Sequence, residues 1–175
     1  MEINDPAIVS KAKEIQALFK DDAIGKIKFV ELENMHITLK FLGNISMDIA
    51  KKIYAILGTV STIPQDGFDI DVKKIGQFNK SVLWCGIDDP HGIIAATQAQ
   101  IEEELLKQLK IPREKRPFEG HMTLARVKFL KDKKQFVDKV AQFKDTYLGK
   151  QHVSAVLLKK SQLTPKGPIY TILQF

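Results

Sequence analysis

The chain has 175 residues, 44% of them hydrophobic and 27% charged, with 27 Lys and Arg against 21 Asp and Glu and a net charge of +6. This is the composition of an ordinary globular protein long enough to bury a core, and no apolar run approaches the length of a membrane helix. A single cysteine, Cys85, excludes an internal disulfide and a multi-cysteine metal site and fits a reducing cytoplasm, while the basic balance permits an anionic partner such as RNA without requiring one.

Asp5-Pro6 opens a helix to about Lys20, with Asp5 as cap and Pro6 at the first helical position. Ile8, Ala12, Ile15, Leu18 and Phe19 give that helix its apolar face. Ile27 to Val30 reads as a short strand, and Glu33-Asn34 turns the chain into a second strand beginning at His36. Gly43-Asn44 closes it, and Ser46 caps a helix running to about Ser61. The alternation in Phe68-Asp69-Ile70-Asp71-Val72 marks a strand with one wet face, continuing through Ile75 and Phe78. Asn79-Lys80 is a turn into an antiparallel strand, Val82 to Ile87. Asp89-Pro90 repeats the capping device and opens a long helix to about Lys110. A basic loop from Ile111 to Gly120 leads into a strand beginning at His121. A helix from about Asp132 to Phe143, a strand from Val153 to Lys159, a turn at Pro165-Lys166-Gly167-Pro168 and a last strand from Ile169 complete the chain. The order gives an α+β fold with antiparallel sheets, helices on each and a central cleft.

One short pattern is spelled twice. His36-Ile37-Thr38-Leu39 and His121-Met122-Thr123-Leu124 lie 85 residues apart, close to half the chain. On a strand, alternate side chains share a face, so each copy presents one imidazole and one hydroxyl together, with an apolar pair behind. Two imidazoles facing one cleft suffice for general acid–base catalysis without a metal, because their unperturbed pKa near 6.5 lets one be neutral and one charged. In-line displacement at phosphorus needs one on each side, with hydroxyls and cations holding the non-bridging oxygens.

These motifs resemble those of the two-histidine (2H) phosphoesterase superfamily. The longer stretches Asn34 to Gly43, His121 to Val127 and Leu163 to Tyr170 resemble the LigT-like RNA 2',3'-cyclic phosphodiesterases, and most closely the archaeal branch once called 2'-5' RNA ligases. The resemblance covers nearly the whole chain and implies a single bilobal domain over residues 1–175, two pseudo-symmetric lobes around the cleft. It implies that His121 is the proton acceptor for water and His36 the proton donor to the leaving 3' oxygen, giving a 2'-phosphate. Thr38, Thr123 and Arg126 then hold the phosphate. The implied substrate is RNA with a 2',3'-cyclic phosphate end, tRNA fragments among the candidates. No cofactor, metal or membrane is involved, the expected state is a cytoplasmic monomer, and the reverse 2'-5' ligation is a minor activity. Met1-Glu2-Ile3 matches only the last part of the opening strand that the resemblance implies. Two other readings stay open: an enzyme for a small nucleotide such as ADP-ribose 1'',2''-cyclic phosphate, and a non-catalytic RNA-binding module.

Strict alternation aims Arg126 away from the His121 face unless the strand ends or bulges between them. Lys40 alternates onto the His36 face and reads equally as added positive charge or as a solvated rim residue. Arg113, Lys115 and Arg116 form a charged loop that can steer an RNA backbone. His91 and His152 read as surface residues, Phe78 and Trp84 as core rather than a stacking platform, and Cys85 as an inert buried thiol.

Overall fold

A computed structural model of the protein describes residues 1–164 and 168–175. Helix α1 (Pro6–Leu18) starts as its sequence requires: Asp5 accepts from the amides of Ala7 and Ile8, and Pro6 occupies the first turn. Strand β1 (Gly25–Phe29) follows. Helix α2 (Met47–Leu57) is capped by Ser46, which accepts from the Ile49 amide. Strands β2 (Phe68–Phe78) and β3 (Val82–Asp88) form a hairpin. Its turn residues Asn79 and Lys80 both have positive φ, 48° and 56°, the pattern of a turn that matches strand twist. Helix α3 (Ile93–Leu109), strand β4 (His121–Leu130), helix α4 (Lys133–Gln142) and strands β5 (Tyr147–Val153), β6 (Lys159–Leu163) and β7 (Pro168–Ile172) complete the order.

One antiparallel sheet of five strands has the order β1-β4-β3-β2-β5, and β6 and β7 pair as a second, two-stranded sheet. Helix α1 packs on β5 and β4, α4 packs on β2, and α2 packs on α3. Ile37, Val72, Ile75, Leu83, Cys85, Met122, Leu124 and Ala125 belong to the core between sheets and helices. No helix among the described residues is long and apolar enough to cross a membrane.

Three sequence expectations shift. The strand expected over residues 153–159 is a connection: β5 ends at Val153 and β6 begins at Lys159. The Asp89-Pro90 pair does not start a helix as Asp5-Pro6 does. Gly92, in the left-handed region at φ 67°, precedes the first turn of α3, and Asp89 reaches past it to accept from the Ile94 amide at 2.6 Å. The stretch from His36 joins its neighbours only through isolated bridges, Glu2 to His36 and Ile37 to Met122, although burial still alternates along Met35, Ile37 and Leu39. The turn expected at Pro165-Lys166-Gly167 lies outside the described residues.

Candidate active site

The two motifs meet at one point. Ile37 and Met122, the middle residues of the two copies, are antiparallel bridge partners and both are buried. Opposed residues share a face, so His36 falls opposite Thr123 and Thr38 opposite His121, with all four on the side away from the core. Neither threonine hydroxyl is committed to a protein partner among the described residues.

Both imidazoles are braced in the same way. His36 Nδ1 lies 2.6 Å from the Asn34 carbonyl oxygen, and His121 Nδ1 lies 2.8 Å from that of Glu119. A carbonyl only accepts, so each Nδ1 carries the hydrogen and donates it. In the neutral ring, Nε2 is therefore the basic nitrogen, and in neither histidine does it bond to protein among the described residues. Each ring also meets an aromatic edge: Tyr170 at 5.2 Å from His36, and Phe78 at 5.0 Å from His121. Burial holds His36 below the ordinary histidine range and nearby Lys159 adds to that, while the Asn34 hydrogen bond works the other way.

A bulge decides where Arg126 points. Trp84 pairs with Thr123, but the preceding Leu83 pairs with Ala125, so Leu124 is an extra residue in β4. Leu124 and Ala125 are consequently both buried, and Arg126 emerges opposite Val82. Val82, Trp84 and Gly86 lie on one face of β3, opposite Arg126, Thr123 and His121 respectively. The bulge thus returns Arg126 to the histidine face that strict alternation denies it. The Leu124 carbonyl accepts from the Val30 amide and from Gln16 Nε2, both at 3.0 Å, and Gln16 also donates to the Val30 carbonyl at 2.8 Å. Arg126 is exposed and makes no ion pair among the described residues. Its other neighbour in register is Lys28 on β1. Like charges directly opposed destabilise a sheet, so this pairing favours an anion between them.

Lys40 does not reach the cleft with a free charge. Its side chain is 7% exposed, and its ammonium donates to Glu102 at 2.8 Å and to the Pro112 carbonyl at 2.8 Å. Glu102 also accepts from the Glu114 amide at 2.9 Å, so the pair fastens the loop that leads to His121. Arg113 is held by Glu103, and His152 by Asp69. Phe78 and Trp84 are half-buried on the cleft face rather than in the core. The cause is a second irregularity, at Lys74 (φ 66°), after which Ile75 takes the buried side of β2 and Gly76 and Phe78 take the other. Cys85 is fully buried, and burial pushes its thiol up to about 12. Sequence reasoning missed Lys28, Gln16, Tyr170, and the Glu2–Lys159 pair at 2.8 Å beside His36. Only Tyr170 carried a signal, as part of the tail stretch.

Among curated relatives, the chain is 34% identical over 172 residues to the RNA 2',3'-cyclic phosphodiesterase of Methanocaldococcus jannaschii, spanning 95% of this chain and 94% of that protein. The chain belongs to the LigT-like phosphoesterase family. The family model, described as LigT-like phosphoesterase, matches residues 3–84, which hold the first motif. The Archaeoglobus fulgidus protein of the same name is 33% identical over 95% of this chain and 91% of its own length. The crystal structure of apo Escherichia coli LigT superposes with TM-score 0.74 at 22% identity, over 99% of this chain and 91% of that one. A Thermus thermophilus protein gives 0.75 at 23% over 98% and 91%. The fold of this LigT-like phosphoesterase is therefore the α+β arrangement with antiparallel sheets expected from its order of elements.

Proposed function

We propose that this LigT-like phosphoesterase opens 2',3'-cyclic phosphate ends of RNA to 2'-phosphates, using His121 as proton acceptor and His36 as proton donor. The observation that carries the reading is the matched pair of imidazoles, each braced at Nδ1 by a carbonyl and, among the described residues, free at Nε2, beside two threonines and an arginine with no partner among those residues. The relatives named as RNA 2',3'-cyclic phosphodiesterases support it.

In the proposed reaction, His121 Nε2 takes a proton from water as its oxygen attacks phosphorus. The bond from phosphorus to the 3' oxygen breaks on the far side, and protonated His36 gives its Nε2 hydrogen to that oxygen. Thr38, Thr123 and Arg126 donate to the non-bridging oxygens as charge builds on them. Burial holds His36 low, and the negative phosphodiester favours its charged form, so substrate arrival loads the acid. The chemistry needs no metal, because the two rings supply both proton transfers. The same steps in reverse would join a cyclic end to a 5'-hydroxyl. The reading further takes residues 1–175 as one bilobal, monomeric, cytoplasmic domain with RNA, tRNA fragments included, as its partner.

The test is turnover, in the presence of a chelator, of a short RNA ending in a 2',3'-cyclic phosphate, beside His36→Ala and His121→Ala. Wild type should yield a 2'-phosphate, and each substitution should slow the reaction by a factor of about a hundred or more. Inert wild type, or variants nearly as fast, would remove these histidines from the chemistry.

A further inference from the structure

Trp84 lies flat across the cleft face of the sheet because Gly76 makes room for it. A Cβ on Gly76 would fall 2.2 Å from its Cζ2, and one on Gly86 would fall 3.4 Å from its Cζ3. Gly76 is the register partner of Trp84, and Gly86 is the register partner of His121. The indole therefore lies over Gly76 on the β2 side of Trp84, and Phe78 is the ring that reaches His121. Phe78 packs beside it, ring centroids 5.1 Å apart and tilted by 34°, and turns its own position on the sheet into the wall against His121. A cavity of about 520 Å³ opens at this end of the hairpin, lined by Gln77, Phe78, Asn79 and Lys80. Trp84 Nε1 is buried without a hydrogen-bond partner among the described residues, so packing on Gly76 and Phe78, not a polar contact, holds the indole in place.

We propose that Trp84 and Phe78 form a stacking subsite for the base of a second nucleoside, on the His121 side of the phosphorus. The inference rests on the function proposed above, in which His121 handles the nucleophile and the cyclic ribose lies towards His36 and Tyr170. A water molecule makes no use of an aromatic platform beside the base that activates it. A nucleobase does, and stacking on an aromatic side chain contributes about 1–3 kcal/mol per base whatever its identity. The subsite accordingly gives the reverse reaction a place to seat the nucleoside whose hydroxyl replaces water. Lys80, at the hairpin tip, supplies a cation for the phosphate that such a nucleoside carries when it belongs to a strand.

Trp84 is the protein's single tryptophan, so its emission reports on the subsite directly. Adenosine, which carries no phosphate, is titrated into the full chain alone and at saturating cytidine 2'-phosphate, the product-like ligand. Saturable quenching that persists with cytidine 2'-phosphate bound is expected, together with slowed hydrolysis of the cyclic end. Phe78→Leu should weaken adenosine binding about fivefold or more, and Phe78→Tyr, which keeps the ring, should preserve it. Quenching abolished by cytidine 2'-phosphate would overturn the proposal, since the platform would then hold the base of the cyclic nucleotide itself. Absence of saturable quenching would also overturn it. Turnover of the cyclic-ended RNA in the same preparation then separates the two failures: if it proceeds, only the subsite falls, and if it does not, the reading of the two histidines falls as well.

Discussion

Replacing Gln16 by Leu tests whether the bulge in β4 sets the position of Arg126. Gln16 is buried in α1 and uses both hydrogens of its amide, one on the Val30 carbonyl and one on that of Leu124. Leucine fills a similar volume and donates nothing. The Leu124 carbonyl keeps the Val30 amide, while the Val30 carbonyl loses the Gln16 donor. Two neutral buried hydrogen bonds and one under-satisfied carbonyl together amount to about 2–3 kcal/mol. For a chain of this size that corresponds to a fall in Tm of about 5–10 °C. Well below the new Tm, kcat/KM for a cyclic-ended RNA should fall about tenfold, because Arg126 loses the register that aims it at the phosphate. The decisive assay is a double-mutant cycle with Arg126→Ala. If Gln16 acts through Arg126, adding Gln16→Leu to Arg126→Ala costs little further activity, although the stability loss persists. Fully additive losses of kcat/KM would refute the link between bulge and arginine, and an unchanged Tm would refute the role given to the hydrogen bonds.

The His36 ring, followed by NMR in the free protein, should titrate below the ordinary value of about 6.5 and move up when a nucleoside 2'-phosphate binds; an ordinary or raised value in the empty cleft would contradict the burial argument. Because burial raises Cys85 to about 12, its thiol should react with a thiolate-selective reagent only after unfolding, and prompt labelling of the native protein would show that the β3 core opens. Glu102→Ala leaves the Lys40 ammonium buried with one carboxylate fewer and should cost about 3–5 kcal/mol, read as a lowered denaturant midpoint; a midpoint close to wild type would mean that the pair contributes nothing net.

The pairing of each His with its Thr was legible because it is local. A His and a Thr two residues apart share a face wherever the backbone is extended, and the pattern is spelled twice. Helix starts at Asp5 and Ser46 were legible for the same reason, since cap and capped amides are within three residues. The final aim of Arg126 was not, because it depends on a bulge whose carbonyl is held by a residue 108 positions earlier. The face of Phe78 was hidden likewise by the irregularity at Lys74. Lys40 alternates onto the His36 face as expected, yet its charge is spent on a carboxylate of α3 that no local rule connects to it. Asp89-Pro90 shows the converse: the same two letters as Asp5-Pro6 make a turn, because Gly92 supplies the left-handed residue that delays the helix.

The carbonyl brace on each histidine is the same in atom, offset and direction. Among the described residues the hydrogen bonds of the two rings do not mark either as donor or acceptor, and the asymmetry lies instead in the burial of His36 and in the walls around each ring. Under the function proposed above, direction is set by which wall receives the ribose: Tyr170 beside His36 or Phe78 beside His121. On that proposal regiochemistry is a property of the walls, and reshaping them is expected to change which ribose oxygen departs while both histidines stay as they are.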